Sequence, residues 1–175
     1  MGASLGNPHQ GCPMHAGELS TYINDHLAGS VAALELLDDL IGRPSAPDEP
    51  AFLIRLRDEL NEEQDELRGV LRELGAGESS VRRAAGWFAE KVTRLKLTWD
   101  DPGSGALRRF EALEGLAIGI FGKLSLWRAL AAVSEAEPAL QRLDLSRLAR
   151  QAEAQHEAVE ARRVAAAVSA FAAPV

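Results

Sequence analysis

The sequence predicts an all-α protein, an antiparallel up-down helical bundle of four long helices and one shorter helix. Three observations predict it. Apolar residues recur every three or four positions over long segments, Gly- and Pro-rich stretches separate those segments, and no segment alternates as a strand does. The 175 residues are 46% hydrophobic, which suffices for one domain with its own core. We expect a single bundle domain over residues 18–175 and a disordered tail over residues 1–17.

The first two helices have clear sequence boundaries. The first is predicted over residues 18–41, with Ser20 or Thr21 as its cap. The stretch "GRPSAPDEP" ends it, because glycine and three prolines do not continue a helix. The second helix is predicted over residues 48–74, and "GAG" ends it.

The second half of the chain predicts three further helices. A shorter one is predicted over residues 79–99, begins at a serine cap and ends at "DDPGSG". A long helix follows over residues 104–136. Pro138 interrupts the chain, and a last helix begins near Asp144 or earlier and extends to Phe171.

Charge and cysteine content exclude several classes of protein. The formal net charge of -7 argues against nucleic-acid binding, which ordinarily needs a basic surface. Cys12 is the one cysteine, so no disulfide forms within the chain, and a reducing, cytoplasmic location is expected. No run of about 18 apolar residues is present, so no membrane span is expected. The first residues lack the features of a secretory signal.

Several polar residues occupy positions on the apolar stripes of the predicted helices. His26 lies on the stripe of the first helix, and Glu63 is the one polar residue among leucines and a valine on the second. Glu114 lies at the edge of the stripe on the helix over residues 104–136, and His156 and Arg163 fall on the stripe of the last helix. Burying such groups without partners costs several kcal/mol each, about 2–7 for a neutral polar group, so they need one another, a ligand or an ion.

Histidines and carboxylates on facing helices are suitable ligands for a transition metal in a bundle core. Glu59 and Glu153 flank these stripes closely enough to bridge ions, and Arg163 and Glu160 are placed to hold the ligating carboxylates in position. The predicted metal ligands are His26, Glu59, Glu63, Glu114, Glu153 and His156.

The segment "EAQH", Glu153 to His156, resembles the Glu-x-x-His motif on the last core helix of ferritin-like di-iron carboxylate bundles. The resemblance implies a ferritin-like fold in which Glu153 bridges two metals and His156 is a terminal ligand. It also implies that Glu114 is the single carboxylate of the preceding core helix, and that iron, manganese or zinc is bound. The second helix has no Glu-x-x-His, and the first offers His26 where the family has a glutamate.

Two functional interpretations stay open at this point. In the first, the bundle binds a transition metal. In the second, it is a metal-free interaction or structural protein, a homodimer, in which Glu63 pairs with His26, His156 or Arg163 and this network specifies packing. Trp127 falls off its stripe, which indicates packing on a neighbouring helix or a dimer contact.

No nucleophile, phosphate-loop or dinucleotide motif is present, so the residues assign no reaction, and an organic cofactor is neither indicated nor excluded. The tail residues His9, Cys12 and His15 are chemically suited to a soft metal, although a flexible tail is the more ordinary interpretation.

Overall fold

A computed structural model describes residues 16–75 and 105–172 of the chain. Of these residues 87% are helical, no strand occurs among them, and five helices pack against each other. The helices are α1 (Ala16–Gly42), α2 (Glu49–Glu73), α3 (Gly105–Val133), α4 (Pro138–Gln141) and α5 (Leu145–Phe171).

The all-helical prediction is confirmed, and the predicted boundaries of α1, α2, α3 and α5 agree with the structure to within three residues. Residues 16 and 17 belong to α1 rather than to the tail. The rest of the predicted tail and the shorter helix predicted over residues 79–99 lie outside the described residues.

Local signals account for the helix ends. Asp144 caps α5, since its side chain accepts a hydrogen bond of 2.8 Å from the backbone amide of Arg147. Pro138 does interrupt the chain, but it also begins α4, because proline suits the first turn of a helix. Glu137 caps that turn by accepting from the amide of Ala139. Gly75 adopts a φ of 69° just beyond α2, a conformation that favours glycine.

Helix α3 is at the centre of the packing, because it packs extensively along α5 and also contacts α1. Helix α1 packs on α2 as well, and the short α4 touches α2. Buried alanines on both α3 and α5, such as Ala117 and Ala152, allow the two helices to approach closely. The α3–α5 pair therefore forms the framework on which the other described helices pack.

The core divides into two apolar clusters along the bundle. The first, the tryptophan cluster, is built around Trp127, Leu140 and Leu148 and includes the buried side chains of α4. The second, the leucine cluster, is built around Leu37, Leu53 and other leucines of α1, α2 and α3. Trp127 is fully buried, so it packs on its neighbours within the chain and does not form a dimer contact.

Among the described helices, α3 alone is long and apolar enough to cross a membrane, with a mean hydropathy of 1.5 over its most apolar window. The central helix of a soluble bundle meets the same criteria of length and composition. The expected absence of a membrane span stays a prediction.

Candidate functional site

Polar side chains from four helices lie between the two apolar clusters along the chain. On α2, Glu63 and Gln64 fall between the buried Leu60 and Leu67. Lys123 on α3 and Gln155 on α5 occupy corresponding places between core residues, as does Ser30 on α1. We call this set the polar layer: Ser30, Glu63, Gln64, Lys123 and Gln155.

The ammonium group of Lys123 is the centre of the polar layer. Its Nζ lies 2.5 Å from Oε2 of Glu63 and donates a 2.5 Å hydrogen bond to Oε1 of Gln155. The amide of Gln155 in turn donates to Oε1 of Glu63 at 3.3 Å and to Oε2 of Glu59 at 2.7 Å. One lysine thus connects a carboxylate of α2 with an amide of α5.

A second branch of the polar layer joins α1 to α2. The side-chain amide of Gln64 donates to Oγ of Ser30 at 2.7 Å, and Ser30 donates to the carbonyl of Leu27. The carbonyl oxygen of Gln64 accepts from Arg68 at 2.6 Å. Gln64 therefore has both of its polar groups satisfied although it is buried.

Burial disfavours the charged form of both members of the central pair. The side chains of Lys123 and Glu63 are only 14% and 4% exposed. Burial raises the pKa of Glu63, and the nearby Lys123 counteracts only part of that shift. Burial likewise lowers the pKa of Lys123, against the attraction of Glu63. The two shifts bring the proton affinities of the amine and the carboxylate closer together.

The polar layer borders a pocket between α1, α2 and α3 with a volume of about 530 Å³. Its lining is mostly apolar, and the polar groups in it include Glu63, Gln64 and Lys123. Gly119 and Gly122 of α3 also line it, and a Cβ added at either one would meet no atom within 4 Å. The two glycines keep this wall of the pocket open at a cost in helix propensity.

His26 of α1 lines the same pocket, half-buried and in edge contact with the ring of Tyr22 at 4.7 Å between centroids. Burial lowers the pKa of His26, and the carboxylate of Asp25 partly opposes that shift. The neutral imidazole is therefore the favoured form near neutral pH. His26 and Glu63 are the two predicted ligands that line this pocket.

The partner predicted for Glu63 is wrong. The sequence offered His26, His156 or Arg163, whereas the structure pairs Glu63 with Lys123. Glu59 does lie beside Glu63, since both carboxylates accept from Gln155. The ammonium of Lys123 already provides the positive charge that a metal ion would bring to Glu63.

Four other predicted residues lie elsewhere, in an outer groove between α3 and α5: Glu114, His156, Glu160 and Arg163. Arg163 donates to Glu160 through two nitrogens at 2.7 Å and to Glu114 at 3.2 Å, and the ring of His156 contacts Phe121. These hydrogen bonds lower the pKa of Glu160 and raise that of Arg163.

The prediction that His156 and Arg163 lie in the core of the bundle is therefore wrong. The buried face of α5 is rotated relative to the predicted apolar stripe. The buried residues on this helix are Leu145, Leu148, Ala152, Gln155 and Val159. One residue turns about 100° around a helix, so His156 falls beside the buried face rather than on it. Glu153 is exposed and pairs with Arg128 at 3.3 Å.

Within residues 16–75 and 105–172, no three His, Cys, Asp or Glu side chains are grouped so as to hold a metal ion. Of the six predicted ligands, two line the pocket, Glu59 accepts from Gln155 beside it, two line the outer groove, and Glu153 is exposed. As arranged, they do not fit a ferritin-like metal centre. Binding of iron, manganese or zinc stays a prediction.

Sequence reasoning missed Lys123, Gln64 and Gln155. A signal for Gln155 was present, because the buried positions of α5 follow a strict three-four spacing that includes it. A signal for Lys123 was also present, because residues 116, 120, 123 and 127 follow a three-four spacing. Leu116, Ile120 and Trp127 at the other three positions are buried. That spacing defines an apolar stripe on α3 that includes Lys123.

A second, larger pocket of about 710 Å³ lies near the turn between α1 and α2 and is lined by charged residues. Its arginines are largely satisfied within the protein: Arg109 pairs with the buried Glu49, and Arg108 with Asp39 at 2.8 Å. The pocket beside the polar layer is the stronger candidate site, because its lining is more apolar than that of the larger pocket.

Comparison of the chain with protein-family models, with curated proteins and with solved structures gives no match. Membership of the ferritin-like group stays a prediction.

Proposed function

We propose that this protein binds a small, uncharged organic molecule in the pocket between α1, α2 and α3. The observation that carries the proposal is the buried Lys123–Glu63 pair at the wall of a mostly apolar pocket of about 530 Å³. Pockets of roughly 300–1,000 Å³ with an apolar lining and a few polar groups are typical of small-molecule sites.

The chemistry of the lining defines the kind of ligand. Apolar side chains such as Leu60, Ile120 and Trp127 suit an apolar body, whose burial provides most of the binding free energy. The Lys123–Glu63 pair has no net charge, so it favours an uncharged polar group over a carboxylate or an ammonium. An oxygen on the ligand can accept from the ammonium of Lys123.

The test is a calorimetric titration of the full chain with 1-octanol, which has an apolar body and one uncharged oxygen. We expect binding at one site, and weaker binding of octanoate and octylamine because each brings an unpaired charge beside the ion pair. The variant Gly119→Leu fills open space in the pocket and should weaken octanol binding at least tenfold, which is about 1.4 kcal/mol.

The matched control is Ala129→Leu, which adds the same side chain to an exposed position of α3 that does not line the pocket. It should leave octanol binding unchanged. Both variants should unfold close to the wild-type melting temperature, since leucine is a good helix former. Equal octanol affinity in wild type and Gly119→Leu would contradict the proposal, as would absence of binding to the wild type.

The metal hypothesis is tested on the same protein. Elemental analysis after purification without chelators, with iron, manganese and zinc supplied, should find stoichiometric metal if the hypothesis is right. His26→Ala should then lose that metal, whereas His15→Ala tests the tail separately. Absence of stoichiometric metal in the wild type contradicts the hypothesis and leaves the small-molecule proposal unaffected.

A further inference from the structure

Lys123 is the feature of the pocket with the most distinctive chemistry. The chain has only three lysines, Lys91, Lys96 and Lys123, against many arginines. Lys123 is the one lysine within the two described ranges, and it occupies the buried position, whereas the other cations of those ranges are arginines. A guanidinium stays protonated in proteins, whereas burial can lower the pKa of an amine enough to free its nucleophilic electron pair.

The contacts of Lys123 provide a base and an acid for such chemistry. Oε2 of Glu63 lies 2.5 Å from Nζ, a distance suitable for proton transfer. Burial lowers the pKa of the amine and raises that of the carboxyl, so transfer of the proton from Lys123 to Glu63 costs less than it would in water. Gln155 holds Nζ in place through its side-chain oxygen.

We propose that Lys123 forms an imine with an aldehyde that enters this pocket, with Glu63 as the group that accepts and returns the proton. The inference rests on the proposed function, because the aldehyde must first bind in the pocket. The ligand class is an apolar aldehyde. Its carbonyl group is uncharged, so it adds no unpaired charge beside the Lys123–Glu63 pair.

The reaction balances without an oxidant or a reductant. Nζ gives a proton to Glu63, and its electron pair attacks the carbonyl carbon, so that a C–N bond forms. The nitrogen, now cationic, passes one of its two protons to the alkoxide oxygen, which becomes the hydroxyl of a carbinolamine. Glu63 then protonates that hydroxyl, the C–O bond breaks, and water leaves.

The product of these steps is a protonated imine and the Glu63 carboxylate. The starting ammonium and the product iminium carry the same charge. The buried carboxylate therefore keeps a positive partner from beginning to end, and no unpaired charge is left in the apolar interior.

The experiment is reductive trapping of the full chain with octanal and cyanoborohydride at neutral pH, followed by intact-mass measurement and peptide mapping. Reduction converts an imine into a stable secondary amine on the lysine that formed it. We expect one adduct on Lys123, formed at least ten times faster than the adduct on free Nα-acetyl-lysine. Excess 1-octanol should suppress it, because the alcohol binds in the same pocket and cannot form an imine.

Two variants separate the amine from the pocket. Lys123→Arg keeps a cation beside Glu63 but has no nucleophilic amine, so it should form no adduct at residue 123. Gly119→Leu keeps the amine and should lose both octanol binding and fast trapping. Mapping of the adduct on the wild-type protein provides the result even if Lys123→Arg does not fold.

The outcomes distinguish the two proposals. If octanol binds and Gly119→Leu weakens it, but Lys123 reacts no faster than Nα-acetyl-lysine, the imine proposal is wrong and the binding proposal stands. Adducts spread over all amines and unaffected by octanol would equally overturn the imine proposal. If octanol does not bind, both proposals fail together.

Discussion

Glu63 and Lys123 are each charged groups in a buried position, and neither is stable there without the other. Taking a carboxylate or an ammonium out of water costs several kcal/mol, and a close partner compensates for most of that cost. The pair is also held by Gln155, which contacts both side chains. The effect of either residue on the free energy of unfolding therefore depends on whether the other is present.

Lys123→Met should lower the free energy of unfolding by about 3 kcal/mol, because it leaves the Glu63 carboxylate buried without its cation. The double variant Glu63→Leu/Lys123→Met should recover to within about 1 kcal/mol of wild type or exceed it, since an apolar pair has no desolvation cost. Urea unfolding measures all three proteins.

Arg128→Met is the control for this prediction, because its partner Glu153 is exposed and the ion pair lies on the surface. It should cost less than about 1 kcal/mol. If Lys123→Met costs no more than Arg128→Met, Lys123 does not stabilise the buried carboxylate of Glu63.

The two members of the pair differ in how far the sequence predicts them. Glu63 was predictable because it stands alone in a run of leucines with helical spacing. Lys123 was not, because α3 is apolar on most of its sides, and a helix of that kind does not reveal which face is buried. The alanine-rich α5 presents the same difficulty, so His156 was assigned a place that Gln155 occupies.

At the scale of the helices, boundaries follow from short polar and Gly- or Pro-containing segments. These signals act locally, through backbone conformation and the capping of free amides, so the sequence alone predicts them well. The rotation of each helix about its axis depends on its neighbours, which is why it was predicted well for α2 and poorly for α3 and α5.

Two aspartates at helix starts allow a matched test of capping. The side chain of Asp144 accepts from the amide of Arg147 at 2.8 Å, whereas Asp48 precedes α2 without a side-chain capping hydrogen bond. Asp144→Ala should lower the free energy of unfolding by about 1 kcal/mol, and Asp48→Ala by only a few tenths. Both residues are exposed, so burial does not confound the comparison.

Thermal or urea unfolding of the two variants gives the measurement. Equal losses for Asp144→Ala and Asp48→Ala would mean that interaction with the helix dipole, which both aspartates share, dominates over the hydrogen bond.

Across the whole molecule, the polar layer separates the tryptophan cluster from the leucine cluster. Val70 is fully buried in the first cluster and Val159 in the second. Residues without shared contacts affect stability independently, whereas residues packed on each other do not. The division of the core can thus be tested by whether two truncations add.

Val70→Ala and Val159→Ala should each lower the free energy of unfolding by about 1–3 kcal/mol, from lost burial and the cavity left behind. Their combined loss should equal the sum to within about 0.5 kcal/mol. Urea unfolding of both single variants and the double variant measures it. A larger deviation from additivity would show that the two clusters form one cooperative core.

The extensive packing of α3 on α5 has a consequence for synthesis on the ribosome. Helix α3 ends at Val133, and its main partner is complete only at Phe171, 38 residues later. At about 5–20 residues per second, the ribosome adds that stretch in roughly 2–8 s. Until then, a long apolar helix of the nascent chain lacks its main partner and is available to chaperones that bind apolar segments. Slower translation of residues 134–171 prolongs that interval and increases aggregation before folding.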